Sequence, residues 1–441
     1  MIATTAQDTP QDKVRVLQRK LYRAAKEAPH RRFGVLYDKV YRRDVLEEAW
    51  RRVRRNQGSA GVDKQTIAAV EAYGVDRLLD ELEAELRERR YRPLPVRRVY
   101  IPKPGKPGQQ RGLGIPAIRD RIVQAAVKLV MEPILEADFR DCSYGFRPKR
   151  GAQDAICEIQ AQVTWGYRQV IDADLKACFD SLPHDGVVAA VARRINDPWI
   201  LRLIRRWLKA GVLEEGEVRT AVAGSPQGGV ISPLLSNAYL HAFDVEWETK
   251  ARGAKLIRYC DDYVILCRGN PQPWFQRMER IITGLGLTLN AEKTRIVDAA
   301  EGFDFLGMHF RLKPMRSNPM RRFCYRWPST KAMHSIRRKI RDAIGHDDLY
   351  SLDDKIRAVN PILRGWGQYF RISNAHRHFK KIDSYVHTKL VNFLRRKHKR
   401  RGRGFREGPP AFFKQAGLHQ LHGTIVRVFR MPPSERGRKA E

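Results

Sequence analysis

The chain has 441 residues, 84 of them lysine or arginine and 49 aspartate or glutamate, which leaves a formal charge of +35 at pH 7. An apolar share of 42% with 9% aromatics is enough to build packed cores, so wholesale disorder is excluded, and the charge calls for a polyanionic partner, nucleic acid first. Apolar runs such as Ala125–Val130 around Lys128 fall far short of the ~20 residues that span a bilayer, so no membrane partner is expected.

The opening MIATTAQDTPQDK has no basic start followed by an apolar stretch, which predicts a cytoplasmic protein. The six cysteines form no C-x-x-C pair and read as free thiols of a reducing compartment. Residues 75–90, VDRLLDELEAELRERR, set Leu78, Leu79, Leu82 and Leu86 at spacings of three and four, the pattern of a helix with one buried face. From Tyr91 to Pro116, prolines at 93, 95, 102, 104, 107 and 116 and glycines at 105, 108, 112 and 114 predict short strands and tight turns around a basic loop, Lys103 to Arg111. Residues 119–135 return to a helical pattern, and Gln169–Leu175 is a short β-prone run ending in acids. Alternating helix and strand predicts a mixed α and β middle.

Beyond Phe310 the composition turns to Arg, Lys, His and aromatic residues, with no comparable β-prone run before Thr424–Phe429, which places a boundary at 311–330. Ser351 and Asp354 form a capping box ahead of a helix carrying Ile356, Val359, Ile362, Leu363 and Trp366, and Pro361 inside it predicts a kink or a break. A second helix is expected over Phe379–His398, followed by a basic arm at 394–404. Net charge by segment is +13 for residues 1–150, −2 for 151–310 and +24 for 311–441. A near-neutral body that uses its carboxylates for chemistry lies between surfaces that grip phosphates.

The chemistry concentrates in LIRYCDDYVILCR, residues 256–268, where two β-prone runs flank Asp261 and Asp262 and predict a hairpin with two carboxylates at its tip. Adjacent like charges in a turn are costly unless a cation is present. A second strand, within RQVIDADLKACFDSLPHD at 168–185, carries Asp172 and Asp174 on one face and is followed by Asp180. Beside the hairpin, Asp174 or Asp172 would complete a cluster of oxygen ligands suited to Mg²⁺. Two such ions about 4 Å apart would activate a hydroxyl and neutralise a leaving pyrophosphate. Between the acidic strands lies AGSPQGGVISPLLSNAYL, residues 223–240, whose glycines allow close backbone approach to a base pair and whose Gln227 can hydrogen-bond without adding charge.

These residues resemble a reverse transcriptase, and the surrounding blocks resemble the group II intron reverse transcriptase/maturase family. Tyr259-Cys260-Asp261-Asp262 is similar to the family's Tyr-x-Asp-Asp hairpin, and Asp174 to Asp180 resembles its first catalytic strand. The resemblance implies Asp174, Asp261 and Asp262 as ligands of two Mg²⁺, leaves Asp172 as an extra acid, and places Phe179 beneath the incoming sugar. Residues 101–116 are similar to the fingers loop that closes over deoxynucleoside triphosphates, with Lys103 and Arg111 the implied contacts and Lys106 an equal neighbour. Lys293 matches the lysine that protonates pyrophosphate, Gln227 falls in the template- and nucleotide-positioning block, and residues 303–310 look like the primer grip. Cys260 stands where the family usually has alanine, and Cys178 replaces an aromatic residue.

NQGSAGVDKQT at 56–66 resembles the N-terminal extension of group II intron enzymes, and RGWGQYFR at 364–371 their thumb, or maturase, domain. There Trp366, Tyr369 and Phe370 are expected in the core, while Arg364, Arg371, His376, Arg377, Lys380 and Lys381 face RNA phosphates. The fold implied is an α+β right hand. It comprises an N-terminal extension with the start of the fingers (1–95), fingers and palm on an antiparallel sheet (96–310), a helical thumb (311–400) and a basic tail (401–441). The tail shows no His/Cys constellation of a nuclease domain, so second-strand cleavage is not expected. Implied partners are a structured intron RNA, an RNA template with a DNA primer, deoxynucleoside triphosphates and target DNA. Alternatives sharing these blocks are a domesticated defence- or CRISPR-associated reverse transcriptase and a non-catalytic RNA-binding splicing chaperone.

Overall fold

The computed structural model describes residues 9–102, 108–176, 178–214, 217–219, 228–251, 253–345, 349–398 and 409–426, with only the backbone at 179–180, 217–219 and 250. Five helices come first: α1 (Pro10–Glu27), α2 (Tyr37–Val40), α3 (Arg43–Arg55), α4 (Ile67–Tyr73) and α5 (Val75–Arg87). The Thr9 hydroxyl caps α1 by accepting from the Asp12 amide, and α5 buries Leu78, Leu79, Leu82 and Leu86, the four leucines its spacing singles out. Strands β1 (Val96–Pro102) and β2 (Gln110–Ile115) pair antiparallel from Arg97 opposite Ile115 to Pro102 opposite Gln110. Helix α6 (Ile118–Glu136) is buried on nearly every side, which explains its weak amphipathic pattern: α1 and α3 pack against it within the core.

The middle of the chain continues with α7 (Ala152–Thr164), β3 (Gln169–Asp174), α8 (Cys178–Ser181), α9 (His184–Ala192), α10 (Pro198–Lys209), β4 (Val212–Glu214), β5 (Glu217–Arg219) and α11 (Ser232–Lys250). Strand β4 runs parallel to β1, giving a sheet ordered β2-β1-β4-β5. Then come β6 (Ala254–Tyr259), β7 (Asp262–Cys267), α12 (Gln272–Gly284) and β8 (Arg295–Asp298). The sheet that carries the acids is ordered β6-β7-β3-β8 with every neighbour antiparallel. Its side chains alternate between two cores: Ile171, Tyr263, Ile265 and Cys267 pack with α6, α9 and α11, whereas Val170, Val264 and Leu266 pack with α7 and the C-terminal helices. By the same alternation Asp172, Asp174 and Asp262 share the face of Val170 and Val264.

A second sheet, β11-β10-β9, is built from β9 (Phe303–Phe305), β10 (Met308–Pro314) and β11 (Arg322–Pro328). Sheet structure therefore continues past Phe310, and the expected absence of a strand beyond it is corrected. The inward residues Phe310, Leu312 and Cys324 are buried against α7, and alternation puts His309, Arg311, Lys313, Phe323, Tyr325 and Trp327 outward, where a charge-based reading sees no strand. Four helices close the described residues: α13 (Thr330–Ile344), α14 (Leu352–Phe370), α15 (His376–Lys397) and α16 (Pro410–Gln415). The Ser351–Asp354 capping box forms as expected. No break occurs at Pro361, because the ring and residue 357, whose carbonyl loses its helical partner, both lie on the exposed side of α14.

Candidate active site

The hairpin forms where the β-prone runs predict it. Tyr259 pairs with Asp262 across a two-residue turn made by Cys260 and Asp261. Cys260 has φ +61°, a left-handed value at the first turn position that favours glycine. β3 lies against β7 with Asp174 directly opposite Asp262, so two carboxylates on one face of adjacent strands meet at the sheet's end and Asp261 joins them from the turn.

Like charges held this close resist ionisation. Asp262, although it opens into the cleft, is raised to about 6, first by desolvation and then by the charges of Asp261 and Asp174, against a lowering pull from Lys293. Desolvation raises Asp261 as well, with Asp174 adding to it and Arg111 opposing. Lys293 Nζ sits 2.5 Å from Asp174 Oδ2, and Asn290 Nδ2 donates to the same oxygen at 3.2 Å. Asn290 also anchors its loop through its amide, which donates to the Asp174 carbonyl at 2.8 Å. Asp172 is diverted to Arg295, 3.1 Å away on β8, which separates it from the cluster. Among the described residues no three acid, histidine or cysteine side chains are arranged to hold a metal ion, and Asp174 is turned to Lys293. The donor set nevertheless fits a hard divalent cation: three carboxylates, all oxygen, two of them raised by burial and mutual repulsion that a cation would relieve.

Arg111, at the end of β2 opposite Ile101, is placed so that its charge reaches Asp261. Lys103, Lys106 and Gln227 lie outside the described residues, and so do the side chains of Phe179 and Asp180. Gly228 has φ +120°, and a Cβ there would stand 2.5 Å from the Gly114 carbonyl of β2. In the thumb, Arg364, His376, Arg377, Lys380 and Lys381 are exposed, while Arg371 is half-buried and donates to Gln368 at 2.8 Å. The rings pack inward: Trp366 lies 4.7 Å from Phe370 and 5.4 Å from Phe379, centroid to centroid. Tyr369 does more, donating its hydroxyl to the Leu306 carbonyl at 2.7 Å and so fixing the turn between β9 and β10.

Three supporting groups escape the sequence reading: Asn290, Arg295 and the buried Arg258. A charged residue in the middle of the apolar run Leu256–Tyr259 is the signal that could have exposed Arg258.

A reverse transcriptase (RNA-dependent DNA polymerase) family model matches residues 101–310, and a group II intron, maturase-specific domain model matches residues 333–407. The protein YkfC of Escherichia coli (strain K12) is 37% identical over 350 residues, covering 69% of this chain and 90% of its own. This chain belongs to the group II intron reverse transcriptase/maturase family. The group II intron-encoded protein LtrA of Lactococcus lactis subsp. cremoris is 28% identical over 357 residues, 66% of this chain and 58% of LtrA. A solved partial Cas6-RT-Cas1–Cas2 complex matches 59% of this chain and 43% of that one, at 24% identity and a TM-score of 0.35. As a family member the chain is an RNA-directed DNA polymerase with an α+β reverse transcriptase fold and a maturase domain, and its chemistry is of the divalent-metal type. No helix among the described residues is long and apolar enough to cross a membrane.

Proposed function

We propose that this reverse transcriptase/maturase extends a DNA primer by copying an RNA template, with two Mg²⁺ held by Asp174, Asp261 and Asp262, and that its basic thumb binds an intron RNA whose splicing and retrohoming it serves. The observation that carries the polymerase reading is the register of β3 on β7, which sets Asp174 opposite Asp262 with Asp261 at the adjoining turn. When bound, the cations would supply Lewis-acid activation of the primer hydroxyl and neutralise the departing pyrophosphate.

The chain's own residues do the rest. Lys293, within reach of Asp174, would hand a proton to the pyrophosphate oxygen as the bond to the transferred phosphoryl breaks. Arg111 contributes positive charge from the fingers side of the cleft, where the triphosphate would lie. The outer face of β10 and β11 sets His309, Arg311 and Lys313 opposite Trp327, Tyr325 and Phe323. Asp304 is bonded to His309 on this face, and after desolvation its charge adds to what raises Asp172. Alternating cations and rings there suit a sugar-phosphate strand leaving the active site. Exposed Arg364, Arg377, Lys380 and Lys381 extend the positive surface onto α14 and α15 for RNA phosphates.

Primer extension on an RNA template, wild type against Asp261→Ala/Asp262→Ala, tests the reading. Extension by the wild type and none by the double variant, with RNA binding kept, is the expected outcome. Equal extension by both would remove these carboxylates from the mechanism.

A further inference from the structure

The turn that presents Asp261 is held from behind by a single guanidinium. Arg258 lies on β6 two residues before Cys260 of the turn, and Arg258 is wholly buried. All five of its N–H donors find acceptors. Nε and Nη2 reach the two carboxylate oxygens of Asp244 at 2.7 and 2.5 Å, and Nη2 also reaches Ser143 Oγ at 2.9 Å. Nη1 divides between Asn237 Oδ1 at 3.0 Å and the Cys260 carbonyl at 2.9 Å.

The acceptors are themselves fixed. Asn237 and Asp244 lie seven residues apart on one face of α11. Asn237 donates in turn to the Gly145 carbonyl at 2.8 Å. Gly145 runs so close beneath the turn that a Cβ there would stand 2.5 Å from the Cys260 nitrogen. The segment around it pairs with β6: Arg258 N donates to the Cys142 carbonyl and Tyr144 N to the Arg258 carbonyl, both at 2.8 Å.

A buried ion pair is poor evidence for stability, since an apolar pair of similar volume often serves as well. An apolar pair could not, however, donate to the Cys260 carbonyl. That carbonyl belongs to the peptide bond leading into Asp261, and it follows a residue whose left-handed backbone needs outside support. We propose that Arg258, oriented by Asp244 and Asn237, is a positioning residue that locks the Cys260–Asp261 peptide and thereby aims the Asp261 carboxylate at the divalent cation. The proposal rests on the reading of Asp261 as a metal ligand.

Two variants of the full chain separate positioning from folding. Arg258→Lys keeps a charge beside Asp244 but cannot serve five acceptors at once. Arg258→Met/Asp244→Leu removes both charges at similar volume. Mn²⁺ binding is measured by calorimetry on the folded protein, together with the Mg²⁺ concentration at half-maximal single-nucleotide addition, and thermal melts report folding. We expect cooperative melts, weaker Mn²⁺ binding and a half-maximal Mg²⁺ concentration raised by about 10- to 100-fold, the size of effect seen when groups behind metal ligands are lost.

Asp261→Asn, run alongside, tests the underlying reading. If it binds Mn²⁺ as the wild type does, the metal assignment itself fails. If Asp261→Asn loses Mn²⁺ while both Arg258 variants keep wild-type midpoints, positioning alone is overturned. Loss of folded protein in both Arg258 variants would reduce the network to a structural ion pair and overturn the role as well.

Discussion

The palm and the thumb treat charge in opposite ways. In the palm, three carboxylates are forced together at the end of one sheet, and desolvation and mutual repulsion raise Asp261 and Asp262, the latter to about 6. In the thumb, Arg364, Arg377, Lys380 and Lys381 stand apart on helix surfaces, exposed to solvent. Concentrated, desolvated charge makes each residue decisive, whereas dispersed, solvated charge makes each a small and additive part of a field. Substitutions in the two regions should therefore differ in kind as well as in size.

The largest effect belongs to the palm. Asp262→Asn is expected to lower primer extension by on the order of 10³-fold or more, because several kcal/mol of charge stabilisation depends on the bound cation. Affinity for RNA, measured by filter binding, should stay within about twofold, since the proposed phosphate contacts lie on the thumb. A joint loss of extension and binding would break the separation between the regions. Next, Lys293→Met should slow single-turnover addition by roughly 10²-fold or more, the usual range for a proton donor. Because the same change frees Asp174 from its ion pair, Mn²⁺ binding should not weaken. Weaker Mn²⁺ binding would instead make Lys293 an organiser of Asp174.

In the thumb, Arg377→Gln/Lys380→Gln/Lys381→Gln should act through salt. The slope of log affinity against log salt is expected to fall by about 2 to 3, near one per phosphate contact. Extension of a preformed short primer–template at saturating concentration should barely change. An unchanged slope would move the RNA surface away from α15.

The smallest effect sharpens the electrostatic half of the comparison. Asp262 titrates near 3.8 in the unfolded chain and is raised to about 6 in the fold. Its contribution to stability is therefore fully present below the unfolded value and is lost as pH rises through the folded one. Without metal at pH 7, Asp262→Asn should be more stable than wild type by on the order of 1 kcal/mol, with solvent in the cleft screening the rest. Thermal melts should show that difference shrinking toward pH 4. A difference that grows as pH falls would reverse the assigned sign.

Much of the site is legible in the chain because its motifs are local. The Tyr259–Asp262 turn and the acids of β3 each declare themselves through β-prone runs flanking charge, and the leucine spacing of α5 and the Ser351–Asp354 cap are local patterns of the same sort. What failed was reading across a change of composition. β11 alternates buried Cys324 and Arg326 with the aromatic residues Phe323, Tyr325 and Trp327, so its inner face does not look apolar and its strand signal is lost. Pro361 misled in the other direction, since a proline on an exposed helix face disrupts less than one in the core.

By itself the sequence determined the candidate groups: acids at the ends of two β-prone runs and a positive surface toward the C-terminus, with Asp174 as third ligand and Lys293 added by the family resemblance. The first two are properties of residue type and short-range spacing. Only the tertiary structure decided which aspartate faces which, that Asp172 goes to Arg295 and Asp174 to Lys293, and that Arg258 closes its donor count on three separate segments. Strand register and the pairing of buried charges are settled by contacts between residues distant in the chain, because a desolvated charge must find its partner in space.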